Sequence, residues 1–241
     1  MISLFKKEFL SYFSNLTGYL ASGLFLLINS LFLFVFPNDM NVLYSGYATL
    51  DTFFGLSPWI FLFLVPAVTM RSFAEESDKG TLDLLLTRPL SLLQIVTAKY
   101  AANLSVVLVS ILPAILFVIS IYLLGNPIGN IDMGATIGSF IGLFLLAAIY
   151  TAIGLFTSTI ANNQIVAFLL AVILSFLLYT GFEYISGLFL GIENIIGAIG
   201  IQYHYESVSR GVIDSRDIVY YITLIYLFLI STRLMLEKRN W

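Results

Sequence analysis

Six runs of about 20 apolar residues follow one another along this chain, and a single water-soluble core cannot absorb them. They lie at roughly Leu16 to Phe36, Phe53 to Met70, Asn103 to Leu124, Ala135 to Thr157, Ile165 to Tyr184 and Ile218 to Leu236. At about 1.5 Å of rise per helical residue, each covers about 27 to 35 Å, close to the hydrocarbon thickness of a bilayer. A soluble domain of this length would cover its core with Lys, Glu and Asp. Here only 10% of the 241 residues are charged and 59% are hydrophobic, whereas about 25% charged is usual. The expectation is an all-α polytopic membrane protein, one domain over 1–241, with six transmembrane helices and the lipid bilayer as its main solvent.

The same composition removes several functions. With no cysteine there is no disulfide and no thiolate metal site, and a net charge of −3 gives no footing for nucleic acid. Lys6 and Lys7 before an apolar run resemble the start of a signal peptide, but Leu16 to Phe36 is long enough to span and has no small-residue cleavage site. It is read as a retained first span.

Orientation follows from the basic residues, which accumulate on the cytoplasmic side. An N-terminus inside puts Lys6, Lys7, Arg71, Lys79, Arg88, Lys99, Arg233, Lys238 and Arg239 in the cytoplasm and leaves only Arg210 and Arg216 outside. Both termini are then cytoplasmic. In residues 1–15 and into the first span, Ile2, Phe5, Phe9, Tyr12, Phe13 and Leu16 recur at helical spacing opposite Lys6, Lys7, Ser11 and Ser14. That pattern suits an amphipathic helix lying in the interface, or a plain anchor flank. Gly134, Gly138 and Gly142 form a small-residue stripe for close packing, and Pro113 should kink the third span.

The segment 71–99 is the most informative. The second span should continue as a helix through Glu75 and Glu76 until Gly80 stops it. A short helix then begins, with Thr81 available as its cap, Asp83 suited to its positive end, and Leu82, Leu85 and Leu86 on one face. Arg88-Pro89 ends it, and Ser91 with Gln94 forms a capping box that opens a third helix through Lys99. Such a helix, held at the inner face by two helical arms, is either a docking element or an ordinary interfacial loop.

The ordered pattern Glu75-Glu76-x-x-Lys79-Gly80-Thr81-Leu82-Asp83-Leu84-Leu85-Leu86-x-x-Pro89-x-Ser91 resembles the signature of ABC-2-type transporter permeases. The resemblance implies that Glu75, Glu76, Gly80, Thr81, Leu82, Asp83, Leu85, Leu86 and Pro89 belong to a cytoplasmic coupling helix docked on an ABC ATPase subunit. A second stretch, Ser209-Arg210-Gly211-Val212-Ile213-Asp214-x-Arg216-Asp217, precedes the last span and the basic end Lys238-Arg239-Asn240-Trp241. Within the family this looks most like the permease of the gliding-motility-associated ABC transporter. The implied partners are an ATPase carrying ATP and Mg, a second permease half (the same chain or a related one) and an auxiliary membrane subunit with an extracytoplasmic domain. The implied place is the cell inner membrane. No G-x-x-x-x-G-K-[ST] loop occurs, so the chain is expected to bind no cofactor and to leave ATP hydrolysis to its partner.

Between the last two spans lies an outer segment, 186–217, whose first part, Ser186 to Ile201, is apolar but interrupted by glycines, and neither apolar piece reaches spanning length. An outer re-entrant or interfacial hairpin fits, and in ABC-2-type permeases the corresponding segment forms an outer gate. Glu183, His204 and Glu206 are its candidate vestibule residues. Glu183 is otherwise an interfacial or paired carboxylate, and a lone histidine is a poor metal ligand. Asp214 and Asp217 are expected to cap the last span. No intramembrane hydrolase or secondary-transporter constellation is present in the sequence. A non-transporting scaffold of an envelope complex is the alternative.

Overall fold

A computed structural model describes every residue except Arg88, 189–195, Val212, Ile213, Asn240 and Trp241; of Asp83, Leu86 and Arg239 it describes the backbone only. Among the described residues all regular structure is helical, and six helices are long and apolar enough to cross a membrane. They run Leu16–Val35, Asp51–Asp78, Leu92–Leu124, Met133–Ile160, Gln164–Ser186 and Ser215–Lys238. The second and third begin or end about ten residues beyond the expected apolar runs. Hydropathy marks only the part that needs lipid, whereas the backbone ladder continues through Arg71–Asp78 and from Leu92.

The second and fourth spans form the centre: 67% and 72% of their apolar windows are buried, against 17–33% for the others. Small residues make this possible. Gly154 of the fourth span lies against Thr69 of the second, with no room for a Cβ. A cluster of rings fills the space beside them, with Phe25 stacked on Phe61 at 5.2 Å and edge-on to Phe53 at 5.9 Å. Outer faces carry Leu20, Leu24, Leu116, Leu123, Leu169 and Leu227, exposed as lipid-facing helices require. In the third span, Pro113 lies in a tightened 3₁₀ turn, Leu112–Ala114, that divides the helix.

The polar positions inside spans are turned into the bundle, although Asn29 Oδ1 and Ser175 Oγ find no hydrogen-bond partner among the described residues. Asn29, Asn103, Ser110, Thr151 and Ser175 are all buried within the chain. Thr151 and Ser110 donate to the carbonyls one turn back, Ala147 and Val106, as hydroxyls in apolar surroundings commonly do.

The glycine stripe packs against a different kind of partner. A Cβ at Gly138 would meet Gly211 Cα at 2.7 Å, and Gly142 lies against Val208 and Tyr205. Its neighbour is therefore the helix Ile201–Ser209, which precedes the last span. Tyr205 donates to the Phe54 carbonyl at 2.7 Å, and Ser139 Oγ lies 2.7 Å from the Ser209 carbonyl. These bonds fix that helix to the end of the bundle where the second span begins. The turn of the expected re-entrant hairpin, 189–195, lies outside the described residues.

Candidate functional site

At the opposite end of the bundle, the second span continues through Arg71–Asp78 and stops as the glycine signal requires. Gly80 has φ +66°, its N–H donates to the Ser77 carbonyl at 3.2 Å, and the Thr81 N–H donates to Glu76 at 2.9 Å. This paired closure satisfies carbonyls that the helix end would otherwise orphan. The short helix Leu82–Leu86 follows, and the next arm opens at Ser91, whose hydroxyl accepts from Gln94 N while Gln94 Oε1 accepts from Ser91 N. The Thr81 hydroxyl points back, 3.4 Å from the Glu76 carbonyl, so it serves the helix behind it rather than the one ahead.

The burial of the leucines differs from a simple partner-facing stripe. Leu82 and Leu85 are buried, at 7% and 6% exposure, in a cluster with Leu4, Phe73, Ile95, Val96, Leu155 and Leu236. They seat the helix on this chain's own core. Leu84 is 68% exposed, and Lys79, Thr81, Thr87 and Pro89 are exposed with it. The side chains of Asp83 and Leu86, and all of Arg88, lie outside the described residues.

Behind the short helix sits a charge cluster. The Lys99 side chain is only 2% exposed, and its Nζ donates to the Ser72 carbonyl at 2.6 Å, Glu76 Oε1 at 3.0 Å and Glu8 Oε1 at 3.2 Å. It also lies 5.1 Å from the centre of the Phe73 ring. Three donors meet three acceptors, the arrangement a desolvated ammonium needs. Glu75 faces the other way and pairs with Arg71 at 3.2 Å and Lys79 at 2.6 Å along the helix surface. Adjacent glutamates thus have separate duties: Glu76 helps Lys99 join the second span to the third, and Glu75 stabilises one helix.

A second polar layer lies deeper. Asn103 Nδ2 donates to Ser72 Oγ at 2.6 Å, and the Tyr12 oxygen lies 2.7 Å from Asn103 Oδ1 and 2.9 Å from the Val68 carbonyl. Burial, with the Glu8 charge beside it, pushes the Tyr12 hydroxyl well above its ordinary pKa, so it keeps the proton it donates. Arg71 donates to Thr17 Oγ1 at 2.7 Å and stands 5.9 Å over the Tyr12 ring. Through Glu8 and Tyr12 the N-terminal helix Ile2–Ser14 is thereby joined to both arms of the short helix. Sequence reasoning missed this cluster. Its one legible signal was Lys99 itself, a lysine in register with Ile95, Val96 and Ala102 on an apolar helix face.

At the distal end the three vestibule candidates separate. Glu183 and Glu206 line one cavity of about 260 Å³ with Tyr179, Ser186, Gln202 and Tyr203. His204 points elsewhere: its Nδ1 is 2.6 Å from Asp217 Oδ1 and its Nε2 is 2.8 Å from the Ala198 carbonyl. Asp217 is buried in this pairing rather than turned toward the helix N–H groups. Asp214 does the capping, its Oδ1 accepting from Arg216 N at 2.9 Å. The expected shared role of the two aspartates fails because a buried histidine competes for one of them.

Compared with known families, the chain matches the model of the ABC-2 family transporter proteins over residues 3–238. Among curated proteins, none matches it.

Proposed function

The chain belongs to the ABC-2 family of transporter proteins, the membrane components of ABC transporters, and from that premise we propose that it receives force from a separate ATPase through the helix Leu82–Leu86. ATP and Mg belong to that partner. The observation that carries the reading is the two-sided construction of this helix. Leu82 and Leu85 bind it to the chain's own core, while Leu84 stands outward at 68% exposure. The arms behind it meet at Lys99. A push on the outward face is therefore transmitted to the second and third spans and to the N-terminal helix, instead of being lost in a loose loop.

A fuller assembly follows from the resemblance. Two permease halves, as a homodimer or with a related chain, would enclose a path that six spans alone do not, beside an auxiliary membrane subunit with an extracytoplasmic domain. The distribution of basic residues supports an inner membrane location with both termini cytoplasmic. The stretch Ser209 to Asp217 and the basic end support a role in gliding motility, as export or as mechanical work across the membrane. The test is purification of the full chain from its native membranes. An ATPase and a second permease copy recovered with it, and hydrolysis that responds to the permease, are expected. Recovery without any ATPase overturns the reading in favour of a scaffold.

A further inference from the structure

Both ring nitrogens of His204 face oxygen atoms. Nδ1 lies against Asp217 Oδ1 at 2.6 Å, and Nε2 lies against the Ala198 carbonyl at 2.8 Å. The carbonyl can only accept, so Nε2 must carry a hydrogen. The second contact also needs a hydrogen between its heavy atoms. The pair therefore holds two protons, whichever atom of the Nδ1–Oδ1 contact owns the shared one. If one is withdrawn, either contact becomes two lone pairs facing each other.

The pair is built into the fold. His204 and Asp217 are 8% and 4% exposed, and Asp217 Oδ2 is buried with no hydrogen-bond partner among the described residues. The Tyr220 ring stacks on the imidazole at 3.8 Å, and its hydroxyl donates to the Ile199 carbonyl at 2.6 Å. Three pieces meet here: the helix Ile201–Ser209, the start of the last span, and the turn through Ala198 and Ile199. That turn supplies Gly197 and Gly200 to the wall of the cavity lined by Glu183 and Glu206.

From this arrangement we infer that His204 and Asp217 form a proton-dependent clasp that holds the turn, and with it one wall of the acidic cavity, against the last span. With both protons in place the turn is tied to the last span. With one removed, a buried contact is left without its hydrogen, and the Tyr220 bond alone ties the turn to the last span. The other groups around the clasp do not replace that proton. The last span adds Tyr220, Tyr221 and, at its start, Arg216 and Asp214, whose carboxylate accepts from the Arg216 backbone N–H. The helix itself adds Tyr203, Tyr205 and Glu206, the last of which accepts from Gln202 at 2.8 Å. The fifth span brings Tyr179 to Tyr205 and Glu183 to the cavity, and the fourth presents Gly138, Ser139 and Gly142. The turn offers backbone carbonyls to the clasp.

Because the chain has a single histidine, ¹⁵N-histidine labelling of the full protein in lipid nanodiscs reports this ring alone. Amide exchange of 196–209, corrected for the intrinsic pH effect, reports the turn and helix. As pH is raised, the ring signal should change from the doubly to the singly protonated form. Protection should fall by roughly tenfold or more over the same interval, the scale of one lost charge-assisted hydrogen bond. His204→Gln should abolish the pH dependence. In Asp217→Asn the amide can donate to Nδ1, so a neutral ring satisfies both contacts; protection should stay high at every pH. Protection that is flat in the native chain while the ring titrates overturns the clasp. So does a native pH dependence that survives in both variants.

Discussion

Leu84 and Leu85 are adjacent in the chain and face opposite ways, the first 68% exposed and the second 6%. One is offered outward from the short helix, and the other fastens that helix to Phe73, Ile95 and Leu236. Substituting them must therefore give different failures. Leu84→Asp should leave abundance and thermal stability of the chain unchanged while reducing ATPase co-purification at least tenfold, the effect of a charge buried unpaired in an interface at about 1.4 kcal/mol per factor of ten. Leu85→Asp should destabilise the chain itself by about 3 kcal/mol or more, visible as a lowered unfolding midpoint in detergent. Equal behaviour of the two variants would show that the helix has no outward docking face.

Lys99 is the second point of leverage. Lys99→Met preserves the length of the side chain but leaves Glu8 and Glu76 without their common cation, which should cost about 3 kcal/mol, the lower end for a broken buried pair, since both carboxylates keep some access to water. Adding Glu8→Gln and Glu76→Gln to that variant should recover most of the loss, because the neutral set no longer buries unpaired charge. Thermal unfolding of the three proteins checks both steps. A triple variant no better than Lys99→Met would mean that the lysine acts by packing on Phe73.

Gly80 makes a backbone prediction independent of any side-chain contact. Its φ of +66° is a left-handed conformation, and nothing surrounds the place where a Cβ would stand. Gly80→Val therefore meets no neighbour and pays only backbone strain, about 1 to 2 kcal/mol. Gly80→Asn should cost clearly less, because asparagine tolerates this region. Proteolytic sensitivity of the 79–90 segment should rise in the order Gly, Asn, Val. Equal sensitivity would remove the turn from the account of how the helix is aimed.

Topology can be read with single cysteines, since the chain has none of its own. Ser45→Cys and Thr87→Cys both stand at exposed positions, at opposite ends of the bundle. In intact cells a membrane-impermeant thiol reagent should label the first and spare the second until the membrane is opened. The reverse pattern would invert the orientation drawn from the basic residues.

The solvent, the number of spans and the punctuation of the 71–99 segment are all legible in the residues alone. These are local or additive properties: apolar length is read residue by residue, and Gly80, Ser91 and Gln94 act on the backbone within a few positions of themselves. Helical periodicity also placed Leu82 and Leu85 on one face, but it could not say whether that face belonged to this chain or to a partner. Burial against Leu4 and Leu236, distant in sequence, as well as against Phe73 and Ile95 of the flanking arms, comes from packing that no local pattern contains. The same holds for Lys99, whose acceptors are Glu8, Ser72 and Glu76, and for Asp217, which reads as a helix cap until His204 is brought against it. A charge in a low-dielectric bundle is governed by its nearest partner in space, and packing chooses that partner.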